Sequence, residues 1–153
     1  MLALAFGLSY LELIIPLDMG IPGVKLGFAN VVVMVLLYTN GPVDAISVSV
    51  LRVILTSVLF GSFFSFLFSL GGAAASFLVM LYARRYVSVP TTSMLGGVSH
   101  NIGQFLVGLL LIDNFNILFY LPLLIISGIL TGLLTSIPAK AIISLINNNG
   151  SQT

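Results

Sequence analysis

Cysteine is absent from the 153-residue sequence, which excludes disulfides, zinc–thiolate sites and cysteine nucleophiles and leaves the redox compartment unmarked. Charge is almost absent too. Five basic and four acidic residues make up 6% of the chain, where a soluble domain averages about 25%. So few charges cannot cover a 16.2 kDa globule in water. With 59% apolar residues and a mean hydropathy of +1.22, the composition calls for a lipid-facing surface. It argues against a cytosolic enzyme, a nucleic-acid partner or a disordered chain. One histidine without cysteine offers no metal-ligand spacing, so no metal is expected. No G-x-x-x-x-G-K-[ST] phosphate loop occurs, so any ATP hydrolysis belongs to another chain.

What the chain does have is long uncharged runs. They are continuous rather than alternating, which favours helices over a β-barrel wall. Hydrophobicity persists to Ile146, unlike a cleaved signal peptide. Spanning helices of about 20 residues place roughly six in this length, with short loops and no soluble domain. The expected fold is an all-α integral membrane protein, a compact bundle of about six transmembrane helices. It forms a single helical domain over 1–147 with a polar tail at 148–153.

The charges and turn residues mark the spans. Met1 to Ile15 is short for a full crossing, so either it projects little on its first side or the chain continues upstream. Pro16 to Gly23 holds two prolines and two glycines and reads as a loop. Leu26 to Tyr38 has only 13 residues, which predicts a short or partly re-entrant helix buried against protein. A third helix is expected over Val43–Phe60, a turn at Gly61-Ser62 and a fourth helix over Phe63–Tyr82, closed by Arg84-Arg85. Pro90 to Ser93 reads as a loop and helix N-terminus, followed by a fifth helix to Leu111. Asp113 to Asn116 is the next loop, and a sixth helix runs from Ile117 to Ile146, with bends at Pro122 and Pro138. Six crossings put both termini on one side, and Arg84, Arg85 and Lys140 against Lys25 orient that side to the cytoplasm. The two halves carry no convincing internal repeat, so an inverted-repeat transporter lacks support.

Polar residues inside the spans are the candidates for function. Arg52 lies near the middle of the third helix, where a charge costs about 2.5–3.5 kcal/mol on insertion scales. Glu12 and an anionic ligand are the two candidates to compensate it, as a buried pair that fixes packing or as a ligand contact. His100, Asn101 and Gln104 lie within the fifth helix, His100 and Gln104 on one face. An isolated histidine there is more often an interhelical hydrogen bonder, but three adjacent polar side chains must face protein or water. Asn30 and Thr56 can join the cluster, Thr56 more readily as helix–helix packing. Small residues at four-residue spacing recur at Ala3/Gly7, Gly23/Gly27, Gly72/Ser76 and Gly128/Gly132, and such pairs let helices approach closely.

Tyr10-Leu11-Glu12, the run Pro22-Gly23-Val24-Lys25-Leu26-Gly27-Phe28-Ala29-Asn30, Leu51-Arg52-Val53, Gly61-Ser62 and Ser99-His100-Asn101-Ile102-Gly103-Gln104 resemble the Gx transporter family. That family is also known as heptaprenyl diphosphate synthase component I. The likeness covers almost the whole chain, and its most specific stretches are 22–30 and 100–104. The family is similar to the S components of energy-coupling factor (ECF) transporters, six-helix proteins of the cytoplasmic membrane in bacteria that capture a micronutrient from outside. The resemblance implies a substrate site of Glu12, Lys25, Asn30, Arg52, His100, Asn101 and Gln104, with the Asp18–Val24 loop as a lid. It also implies that Ala3 and Gly7 contact a transmembrane coupling protein, which works with two ATPase subunits.

Three functional classes follow. The first is a non-enzymatic solute-binding S component, with Lys25 and Arg52 favouring an anionic or polar headgroup. The second is a subunit of polyprenyl diphosphate synthesis. Catalysis by this chain alone is not expected there, because its acids at 12, 18, 44 and 113 form no D-D-x-x-D-like cluster to hold Mg²⁺ and diphosphate. The third is a membrane scaffold whose polar residues only join helices.

Overall fold

The computed structural model describes residues 1–14, 27–111 and 115–150, and every regular element among them is helical. α1 is Leu2–Ile14, α2 Phe28–Thr39, α3 Pro42–Phe60, α4 Phe63–Ala83, α5 Val89–Leu111 and α6 Leu121–Gly150. The helices α3 to α6 are long and apolar enough to cross a membrane, whereas α1 and α2 are shorter apolar helices. The protein is thus an all-helical membrane protein, with six α-helices among the described residues, four of them of spanning length.

The boundaries follow local chemistry. Ser62 precedes α4 and its Oγ accepts from Ser65 N at 3.2 Å, an N-cap that converts the Gly61-Ser62 turn into a helix start. Pro42 opens α3, where the missing N–H costs nothing. The same tolerance applies at two more starts: Pro90 to Ser93 form the first turns of α5, the expected helix N-terminus without the expected loop, and Pro122 sits at the second position of α6, near its start as expected. A 3₁₀ segment, Phe115–Tyr120, replaces the expected first turn of α6. Pro138 lies inside α6 without ending it, and the helix continues past Ile146 to Gly150, since extending a formed helix is easier than nucleating one.

Helix α2 sits at the centre. Val31 to Leu37 are all buried, as the length of that run predicts. One side packs with Ala5, Ala45, Phe77 and Met80 of α1, α3 and α4, and the other with Ala139 and Ile143 of α6. Its 12 residues span only about 18 Å, less than a hydrocarbon core of about 30 Å, so both ends need polar partners from the protein itself. They have them. The Glu12 carboxylate accepts a hydrogen bond from Phe28 N at 2.5 Å at one end, and Arg84 Nη1 donates to the Leu37 carbonyl at the other. An anion at the N-terminus and a cation at the C-terminus match the helix dipole.

The outer helices show the opposite pattern. Val58, Leu110 and Ile137 are 76%, 86% and 69% exposed, the surface expected where lipid replaces water. Lipid supplies no hydrophobic drive for helices to associate, so close van der Waals contact must do so. The tightest pairs are α4 with α5 and α5 with α6. A Cβ on Gly103 would stand 2.5 Å from the Gly71 carbonyl oxygen, and one on Gly132 would stand 2.6 Å from Met94 Cα. The Gly72/Ser76 and Gly128/Gly132 pairs thus lie in buried helix contacts. Gly7, in contrast, would meet nothing within 4 Å, and Ala3 is exposed.

Candidate functional site

Near the N-terminus of α2, five helices turn polar side chains toward one place. A cavity of about 50 Å³ is lined by Glu12, Gly27, Asn30, Arg52, Gly97, His100, Asn101, Gln104 and Thr131. A second, of about 40 Å³, shares Glu12, Arg52, His100 and Gln104 with it and adds Ser9, Val53, Thr56 and Ser69. Six of the seven residues expected at the site therefore meet. The seventh, Lys25, and the Asp18–Val24 loop lie outside the described residues.

Arg52 is the hub. It stands ten residues into α3, so neither end of that helix can hydrate it. Its Nη1 donates to Ser9 Oγ at 3.2 Å and its Nη2 to Asn30 Oδ1 at 3.4 Å. Both acceptors are neutral, and the charge of opposite sign acting on the guanidinium is Glu12. Nε is buried without a hydrogen-bond partner among the described residues, which leaves donor capacity in a group that forks to meet two oxygens. Thr56, one turn further on, back-bonds to the Arg52 carbonyl at 2.8 Å and lines the second cavity.

The α2 terminus is shaped by Gly27, whose φ of +78° lies in the left-handed region. Glycine has no side chain to cap the helix, so the first N–H is satisfied from α1 by Glu12. Glu12 is thereby both the cap of α2 and a wall of the two cavities.

On α5, His100 and Gln104 share the face turned to α4, and both press on Gly72. Asn101 is turned the other way, 8% exposed, and its Nδ2 donates to the Leu124 carbonyl at 2.8 Å and to Ser127 Oγ at 3.0 Å. Asn101 lines the first cavity, but its amide hydrogens are committed to α6.

Residues not expected from the sequence complete the site. Ser9 lies three residues before Glu12 and so shares its helix face, a signal that was available. Thr131 belongs to the series Ser127, Thr131, Thr135 at four-residue spacing, all buried on α6, and it too was readable as a polar stripe. Gly97 became visible only with the neighbour: its close approach to Gly128 lets α6 come near enough for Thr131 to reach the cavity.

The arrangement is rich in donors and holds one carboxylate, so it suits a ligand group rich in acceptors. Its volume holds a few waters, against the ~300–1,000 Å³ of ordinary small-molecule pockets. A solute enters only if the surrounding helices part.

No curated protein and no solved structure matches the chain. The family described as heptaprenyl diphosphate synthase component I matches residues 1–142, a span that includes every residue of the polar cluster, and the chain belongs to that family.

Proposed function

We propose that the chain is the substrate-binding membrane subunit of an energy-coupling factor type uptake transporter, capturing a small solute with an anionic or strongly polar head. The observation that carries this reading is the meeting of Glu12, Asn30, Arg52, His100 and Gln104, from four helices, at one donor-rich pair of cavities. Asn101 and Thr131 support its wall from α5 and α6, and Lys25 adds a second cation near α2 in sequence. In this reading the chain binds its solute without chemistry, and ATP hydrolysis is left to partner subunits, since the sequence carries no G-x-x-x-x-G-K-[ST] phosphate loop. Ala3 and Gly7 offer a small-residue face for a transmembrane coupling protein. Arg84, Arg85 and Lys140 orient their end of the bundle, with both termini, to the cytoplasm.

The family's name favours a second reading, a non-catalytic membrane subunit associated with heptaprenyl diphosphate synthesis. A diphosphate is also an acceptor-rich anion that Arg52 would suit. Affinity purification of the full chain from native membranes, with mass spectrometry of the proteins and small molecules recovered, separates the two. A membrane coupling protein with ATPases and a retained solute supports uptake. Recovery of a soluble prenyltransferase instead overturns it in favour of the second reading.

A further inference from the structure

We propose that Glu12 is an internal anion that competes with an anionic ligand group for Arg52 and the α2 N-terminus, so that capture of a carboxylate or phosphate loosens α1. This rests on the solute-binding reading above and names the chemistry of the group bound.

Three observations converge on it. First, the carboxylate occupies a place built for an anion: it accepts from Phe28 N at 2.5 Å at the positive end of α2, where Gly27 offers no side-chain cap of its own. Second, the same carboxylate lines both cavities beside Arg52, the basic side chain among their lining residues. Arg52 spends two nitrogens on neutral oxygens at 3.2 and 3.4 Å and keeps a buried Nε without a partner. A carboxylate or phosphate would give it shorter, charge-assisted, two-pronged bonds. Third, cavities of about 50 and 40 Å³ hold only a few waters, so an anionic group that enters them stands directly against the like charge of Glu12.

An entering anion therefore takes the place of Glu12. The consequence falls on α1. Two polar ties join α1 to other helices at this place, Ser9 to Arg52 and Glu12 to Phe28, and both end at the groups the ligand would claim. Apolar contacts also hold α1, among them Ala5 in the core and the stacking of Phe6 and Tyr10 on Phe60. By linkage, a ligand that competes with α1 for Arg52 must weaken α1 docking, and α1 must weaken the ligand, by the same factor.

The test uses the full chain in lipid nanodiscs with inorganic phosphate as the probe. Phosphate should raise the unfolding temperature of the wild type, and Glu12→Gln should bind it about tenfold more tightly, within the usual range of coupling between sites. Arg52→Gln should not respond. An independent measurement keeps Glu12 intact: the chain has no cysteine, so Tyr10→Cys with Phe60→Cys makes a unique pair across rings 4.9 Å apart. Bridging that pair with a short thiol-reactive linker should slow when phosphate is added. Equal or weaker phosphate binding by Glu12→Gln, linking indifferent to phosphate, or no phosphate binding at all overturns the proposal. Retention of a co-purified solute in the same preparations would leave the solute-binding reading standing, and its loss would not.

Discussion

Glu12 and Arg84 hold opposite ends of one helix: the carboxylate accepts from the first N–H of α2, and the guanidinium donates to the Leu37 carbonyl near its last turn. Two of the nine charges in the chain thus satisfy the termini of its most buried element. Arg84→Ala removes the C-terminal partner and should lower stability by about 1–2 kcal/mol, the range for a cation at a partly buried helix end. Arg85→Ala, at an exposed neighbouring position, should stay within about 0.5 kcal/mol of the wild type. Thermal unfolding of the two variants in the same detergent checks the difference.

Arg52→Ala should abolish the stabilisation that a retained solute gives the purified protein. Arg52→Lys keeps the charge but loses the planar fork, and should bind at least about tenfold more weakly, since Lys does not replace Arg at a two-pronged site. Unfolding temperatures with and without the solute decide this. Unchanged stabilisation in Arg52→Ala would remove Arg52 from the centre of the site.

Gly72→Ala places a Cβ 2.8 Å from the His100 ring atoms Cε1 and Nε2 and 2.9 Å from Gln104 Cγ. The side chains must yield, so solute binding should fall more than stability does, with a loss of about 1 kcal/mol, the low end for overpacking. Equal binding to the wild type would show that the positions of His100 and Gln104 are not used.

Gly97→Ala differs because what it meets is backbone: the new Cβ overlaps the Gly128 carbonyl and lies 3.4 Å from Gly132 Cα. No side chain can turn away, so α5 and α6 must separate, at a cost of about 3 kcal/mol. Denaturant titration in mixed micelles against Gly72→Ala tests the ordering of the two.

Asn101→Leu removes the hydrogen bonds to the Leu124 carbonyl and Ser127 Oγ. Interhelical bonds of this kind average about 0.6 kcal/mol in membranes, so the loss of stability should be small. Solute binding should change less than in Gly72→Ala, because the Asn101 donors point to α6.

The membrane class, the helix count and most helix ends were legible in the residues. Apolar run length, proline, glycine and serine act over a few residues, and they placed Ser62 ahead of α4 and Pro42 at the head of α3. The same local signals were less informative at Pro90, where proline opens a helix as readily as it marks a loop. The identity of the polar candidates was legible too, because a charge or amide within an apolar run is conspicuous by its cost.

What each candidate does was decided by the tertiary structure. Arg52 meets Ser9, 43 residues away, and Asn30, 22 residues away. Glu12 caps a helix that begins 16 residues later, and Asn101 turns from the cavity cluster toward α6. The residues by themselves determined that this chain crosses a membrane as helices carrying a few costly polar groups. Which of those groups meet depends on helix neighbours and on rotation about each helix axis. Both were settled by glycine contacts such as Gly97 with Gly128 and Gly71 with Gly103, in a solvent where close packing rather than hydrophobic burial joins helices.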